Sequence, residues 1–342
     1  MRKQIKTLVL SIVGFLFMQP HALADVGRPE PLAEISIQIV NNRVLVPIVI
    51  GDYYLELALD TGASATALFQ SEDLDYSDLT VRDNANIIFP ALDEIVEGVR
   101  LEPEVISIGT FEYLPTRLIR VDRRPPIGDR LDLRFDGVLG QDFFGSYVVE
   151  INRHAKLMRL YEAGTDLTDY FKTTLSLVMK NTAPHIVVKS RMPWEKNVRQ
   201  KELMIDTGYP GAMVIWGSKQ FQQAAKGENV RNLKETNTGI FTNANFKIGP
   251  LKFLRTPVFV APKEPQQAHK RDGLIGSNVL IWYHHVIDFP GKRLLLDTWN
   301  VDFNFMDGAL YLPNDEGYMV KRYGDSDVLS SGMKTTVTFD TR

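Results

Sequence analysis

The sequence predicts a mainly β protein made of two pseudo-symmetric, β-barrel-like lobes with few short helices, and three observations carry that prediction. First, an almost apolar run, Leu57-Ala58-Leu59, ends in Asp60-Thr61-Gly62-Ala63-Ser64, and a second, Leu203-Met204-Ile205, ends in Asp206-Thr207-Gly208; each reads as a buried strand closing on a carboxylate. Second, further landmarks recur in the same order. Asp136-Gly137-Val138-Leu139-Gly140 answers Asp272-Gly273-Leu274-Ile275-Gly276, Ile106-Ser107-Ile108-Gly109 answers Phe246-Lys247-Ile248-Gly249, and Val148 to Asn152 answers His285 to Phe289. Third, the period of this similarity is near half the chain, which marks a duplicated domain and not a short solenoid repeat.

One Asp-Thr-Gly alone would carry little weight, since average composition produces one in a chain this long on the order of a few times in a hundred. Such a triplet at a strand end is usually a turn former whose carboxylate bonds nearby amides. Two copies with matching glycine segments downstream are a different matter. With these residues the chain resembles the aspartic proteases of the pepsin and retroviral type, over roughly residues 33 to 300. The compact halves and the Asp-Thr-Gly-Ala-Ser form resemble the retroviral members, here fused into one chain.

The resemblance implies the bilobal acid-protease fold and a catalytic pair, Asp60 with Asp206. It implies supporting roles for Thr61, Gly62, Thr207 and Gly208 in the loops, and for the apolar-Gly segments Val138-Leu139-Gly140 and Leu274-Ile275-Gly276 beneath them. The threonine hydroxyls are expected to bond across to the opposite loop. The chemistry explains the pairing: two carboxyls held about 3 Å apart cannot both ionise, so they share one proton and can act as base and acid together. The implied activity is hydrolysis of peptide bonds by a water activated between the aspartates, on a polypeptide bound in extended form, with no cofactor and no metal. One chain carries both aspartates, so a monomer suffices. The other reading is a catalytically silent peptide-binding or envelope-interaction protein on the same fold. Tyr209, where the family usually has a small residue, either crowds the cleft or points into the core.

Taken from its start, the chain opens with Arg2, Lys3 and Lys6, an apolar run from Thr7 to Met18, and Ala22-Leu23-Ala24. That is the pattern of a signal peptide over residues 1–24, and the run is short for a membrane span. Cleavage after Ala24 is the favoured reading, an uncleaved anchor the other. The segment holds three basic and no acidic side chains, so its loss takes the net charge from −3 to −6, which disfavours nucleic acid as a partner. The chain has no cysteine: an exported protein of this kind relies on its core and has neither a lipid anchor on Cys nor thiolate chemistry. A soluble periplasmic or secreted bacterial protein is the simplest account.

The expected domains are an N-terminal lobe over 25–161, a linker over 162–173, a C-terminal lobe over 174–300 and a tail over 301–342 whose last twenty or so residues lack structure. Ile35 to Ile39 and Val44 to Ile50 read as strands, the second an edge strand because of Pro47, with Gly51-Asp52 as the turn that follows. The acidic stretch 71–104 reads as a solvated surface loop; the other reading, from the resemblance, is that part of it, around Ile87 to Val99, forms the hairpin flap that closes over substrate. The mixed-charge stretch 117–134 reads as an exposed loop. In the second half Thr174 to Met179 opens the lobe, and Ser218 caps a helix running to Ala225, ended by Gly227. His284 and His285 lie on opposite faces of a strand, which argues against a metal site there. Phe143, Phe144, Trp282 and Trp299 read as core.

Overall fold

The computed structural model describes residues 27–71, 74–89, 94–121, 135–226, 231–232, 239–262, 272–280, 283–298, 310–313, 319–322 and 336–338. Strands dominate, with short helices at Gln141–Ser146, Ser218–Ala225 and Ser277–Leu280. The chain has two similar β halves: a ten-stranded sheet in the first, a nine-stranded sheet in the second, and a six-stranded sheet joining them among the described residues.

Each half builds the same local arrangement around its Asp-Thr-Gly strand. In the first, Tyr53–Leu59 lies antiparallel to Arg43–Ile50 and parallel to Gly137–Leu139, with Leu57 opposite Gly137 and Leu59 opposite Leu139. In the second, Arg199–Asp206 lies antiparallel to Ala183–Arg191 and parallel to Gly273–Gly276, with Asp206 opposite Gly276. Thr66–Phe69 and Met213–Trp216 each complete the motif, antiparallel to the glycine strand on one side and parallel to a further strand on the other. Where the Asp-Thr-Gly strand is hemmed in on both edges and both faces, as at its inner end here, it must be apolar. Accordingly Leu57, Leu59, Leu203 and Ile205 are all buried, each worth about 1.5–3 kcal/mol relative to exposure.

The six-stranded sheet is the seam. Its order is Ala33–Ser36, Leu157–Glu162, Tyr147–Asn152, Tyr283–Asp288, Arg293–Thr298, Thr173–Ser176, three strands from each half, and the halves meet where Glu150 faces Val286. The stretches expected as single strands, 35–39 and 174–179, are each cut in two. Ala33–Ser36 and Thr173–Ser176 join the seam, while Gln38–Val40 and Val178–Lys180 join the lobes. The changeover residues Ile37 and Leu177 give their amides to Lys156 and Lys292 carbonyls at 2.9 and 2.8 Å, which satisfies the backbone where the strand leaves one sheet for the other.

Other expectations are corrected. Pro47 is not on an edge strand: Arg43–Ile50 is interior, and Pro47 falls between the short pairings at Arg43 to Leu45 and at Val49 to Ile50 on its open side. Of the two readings of the acidic stretch the loop fails and the hairpin holds, longer than the span around Ile87 to Val99: Val81–Phe89 pairs with Glu94–Leu101. Residue Gly217, at φ +120, stands in the cap position of the helix Ser218–Ala225, so Ser218 is its first residue and not its cap. The tail holds Thr336–Thr338, paired to Leu251–Ala261. Residues 1–26, 122–134, Gly227, Trp282, Trp299 and most of the tail lie outside the described residues. Phe143 and Phe144 are core. Among the described residues no helix is long and apolar enough to cross a membrane.

Candidate active site

Because each Asp-Thr-Gly sits at the inner end of its lobe's central strand, the seam brings the two loops face to face. The Asp60 and Asp206 carboxyls act directly on each other, and each abuts the glycine of the opposite loop, Asp206 against Gly62 and Asp60 against Gly208. Asp206 is 4% exposed and Asp60 keeps a half-buried edge. Gly62 and Ala63 donate their amides to Asp60 Oδ1 at 2.8 and 3.1 Å, and Tyr209 donates its amide to Asp206 Oδ1 at 3.0 Å. Burial pushes the Asp60 carboxyl above the ordinary range, against the pull of those amides and of the Arg43 guanidinium; the retained proton is what lets the two carboxyls approach.

The threonines lock the loops. The Thr61 amide donates to Thr207 Oγ1 at 3.0 Å and the Thr207 amide to Thr61 Oγ1 at 3.1 Å, while each hydroxyl donates to the strand opposite, Thr61 to Ile205 O at 2.7 Å and Thr207 to Leu59 O at 2.8 Å. The glycines are required by close approach. A Cβ on Gly62 would lie 2.7 Å from Asp206 Cγ, and one on Gly208 would overlap the Asp60 carboxyl.

The apolar-Gly segments pass beneath. Val138 and Leu139, like Leu274 and Ile275, are buried. A Cβ on Gly140 would overlap the Ala65 carbonyl, and one on Gly276 would overlap the Gly211 carbonyl. Beyond them the Gln141 and Ser277 amides bond Ala63 O and Tyr209 O at 2.8 and 2.9 Å, the same bond in each half. The Tyr209 ring is settled too: it packs beside Met204, Val214, Trp216 and Leu274, so it belongs to the second lobe's core.

The structure adds residues that motif reading missed. From the turn Asn41-Asn42, both at positive φ, Asn42 donates Nδ2 to Pro210 O at 3.0 Å and Arg43 donates Nε to Gly208 O at 2.6 Å. From the equivalent turn of the other half, Thr182 donates to Gln141 Oε1, and Gln141 Nε2 donates to Thr61 O at 2.9 Å. Each lobe's hairpin thus braces the Asp-Thr-Gly loops from across the seam. The repeat offered a weak signal, a turn ahead of each lobe's first long strand, but Arg43 aligns with Ala183, so comparing the halves hid it. Among the described residues no three metal-ligating side chains converge. His284 bonds Glu150, and His285 is buried with its ring nitrogen at Tyr283 O.

No protein-family model matches the chain, and no curated protein matches it. Solved structures do. The chain is similar to an aspartic proteinase from Irpex lacteus, with a TM-score of 0.54 and 16% identity over 80% of this chain and 98% of that one. The fold is that of the pepsin-like aspartic proteinases. A basic 7S globulin from soybean is also similar, with a TM-score of 0.50 and 10% identity over 79% of this chain and 95% of that one. One name is a proteinase and the other a globulin, so the likeness is one of fold and the chemistry rests on the site.

Proposed function

We propose that this chain is an exported, single-chain aspartic endopeptidase of compact, retroviral-like lobes, with Asp60 and Asp206 as its catalytic pair. One observation carries the reading: two carboxyls, one from each half, brought together on loops tied by reciprocal threonine bonds, each against the other loop's glycine. A structural aspartate needs neither a second carboxylate against it nor the cost of burying one. The ionised member takes a proton from water as the water oxygen attacks the scissile carbonyl carbon, and the protonated member donates to the carbonyl oxygen. Collapse of the tetrahedral diol then protonates the amide nitrogen, which leaves as the amine, and the pair returns to one shared proton. No covalent intermediate forms.

The substrate is a polypeptide in extended form, held by backbone hydrogen bonds to strand edges, and the hairpin Val81–Phe89 with Glu94–Leu101 serves as the flap. One chain supplies the whole site, and residues 1–24 direct export and are removed. The globulin of similar fold favours a second reading, a silent peptide-binding protein. The test is digestion of a mixed peptide library by residues 25–342 and by the Asp60→Asn and Asp206→Asn variants from about pH 3 to pH 8. Cleavage that both variants abolish supports the peptidase. Peptide binding that survives in a folded, inactive parent and in Asp60→Asn supports the second reading.

A further inference from the structure

The geometry points to Arg43 as a further positioning residue of the aspartate pair, one that holds the Gly208 carbonyl and sets a permanent positive charge behind the carboxyls from one lobe only. This rests on the reading of Asp60 and Asp206 as the catalytic pair.

Arg43 is 2% exposed, a burial that arginine rarely accepts without strong partners. Its Nε donates to Gly208 O at 2.6 Å, and its guanidinium lies over the Phe135 ring at 5.7 Å from the centroid. Gly208 is the glycine whose α-carbon abuts the Asp60 carboxyl. A single residue therefore has Asp60 on one side and Arg43 on the other, and the guanidinium charge acts on Asp60. Among the described residues the other charged and titratable groups about the pair are few. Tyr209, on the second loop, feels both Asp206 and Arg43. Asp142, behind Gly140, is turned to Tyr113 and Thr66.

A brace alone would not require a charge. The equivalent turn in the other half puts Ala183 where Arg43 stands and braces through the neutral side chains of Thr182 and Gln141. The pair's environment is thus asymmetric, with the cation entering beside Gly208. A fixed positive charge favours the ionised form of a nearby carboxyl, so it lowers both the pH at which the pair gains its first negative charge and the pH at which it loses its last proton. Without Arg43 both limbs of the activity profile move to higher pH.

The experiment compares the parent with Arg43→Met and Arg43→Lys. It measures kcat/KM against pH on one peptide taken from the library cleavages, and follows the Asp60 side-chain carboxyl by carbon NMR across the same range, in protein shown folded by thermal unfolding. The expected result is an upward move of both limbs, and of the Asp60 titration, by about one pH unit in Arg43→Met, with parent positions kept in Arg43→Lys. Limbs and titration unmoved in Arg43→Met, with only the amplitude reduced, overturn the inference and leave Arg43 a brace. Arg43→Met that does not fold passes the decision to Arg43→Lys: an intact profile there supports the charge, and a displaced one overturns it. A parent that cleaves nothing overturns the peptidase reading instead, while the Asp60 titration still decides on Arg43.

Discussion

Thr61 and Thr207 bond each other reciprocally, each amide donating to the other's hydroxyl, and each hydroxyl donates in turn to the strand behind its partner. Four hydrogen bonds thus cross between the halves at two buried side chains, exposed 0% and 8%. Thr207→Val keeps the shape, removes one hydroxyl, and leaves the Thr61 amide and the Leu59 carbonyl without that partner. The expected cost is about 1–3 kcal/mol for the buried groups orphaned, read as a lower denaturation midpoint. Thr207→Ser, which restores the hydroxyl, is expected to recover most of it, and peptide cleavage is expected to follow the same order.

Gly208→Ala separates activity from folding. The added methyl overlaps the Asp60 carboxyl, and relief requires the carboxyl to move from its place beside Asp206. Overpacking of this size costs about 1–3 kcal/mol, tolerable in a chain of this length. Cleavage is expected to fall by about a hundredfold or more, as misplacement near 1 Å does. Near-parent kcat in a folded Gly208→Ala variant would contradict the close approach.

The site's motif was legible because it occurs twice. Asp60 and Asp206, with Gly140 and Gly276, are tied to one another by matching surroundings, and the structure brings all four together at the seam. What the residues did not declare was how the halves join. The strands of the seam are short, and Ile37 and Leu177 pass from one sheet to another without breaking the alternation, so period alone reads one strand where there are two. The hairpin at 81–101 was legible in part: a hairpin around Ile87 to Val99 was one reading of the acidic stretch, while its charge favoured a loop, since edge strands carry polar side chains that composition reads as loop. Arg43 was hidden by asymmetry, because a repeat shows only what the two halves share.

Glu150 anchors the seam and gives it a pH dependence. Its side chain is fully buried and receives Arg28 Nη2 at 2.8 Å, Tyr161 Oη at 2.6 Å, His284 Nε2 at 2.5 Å and Arg159 Nη1 at 3.3 Å. Burial pushes its pKa up, but the His284 and Tyr161 hydrogen bonds and the Arg28 charge outweigh it and bring the value to about 2. A carboxyl depressed on folding contributes stability that is full above its unfolded pKa and lost as pH falls through the folded one. From an ordinary 4.5 to about 2, this amounts to about 3 kcal/mol. Chemical denaturation of the parent is expected to show that gain between pH 2 and 5. Glu150→Gln is expected to flatten it and to lower the midpoint at pH 7.

Asp142 is the opposite case. It lies behind Gly140, accepting from Tyr113 Oη at 2.8 Å and Thr66 Oγ1 at 3.0 Å, and burial still leaves its carboxyl above the ordinary range. Between the unfolded and the folded pKa the folded chain therefore keeps a proton there that the unfolded chain has released. The contribution is full below the unfolded pKa and is lost as pH rises through the folded one. Asn278 occupies the matching place in the second half, one residue past Ser277 as Asp142 is past Gln141, so an amide of this size fits the motif. Asp142→Asn is expected to fold, to sit within about 1 kcal/mol of the parent near pH 7, and to lose the fall in stability on going up from pH 4 that this group contributes. The measurement is the difference between the two denaturation midpoints at each pH. A difference that moves in the parent's favour as pH rises would show instead that Asp142 is held ionised, with Tyr113 and Thr66 stabilising a buried charge.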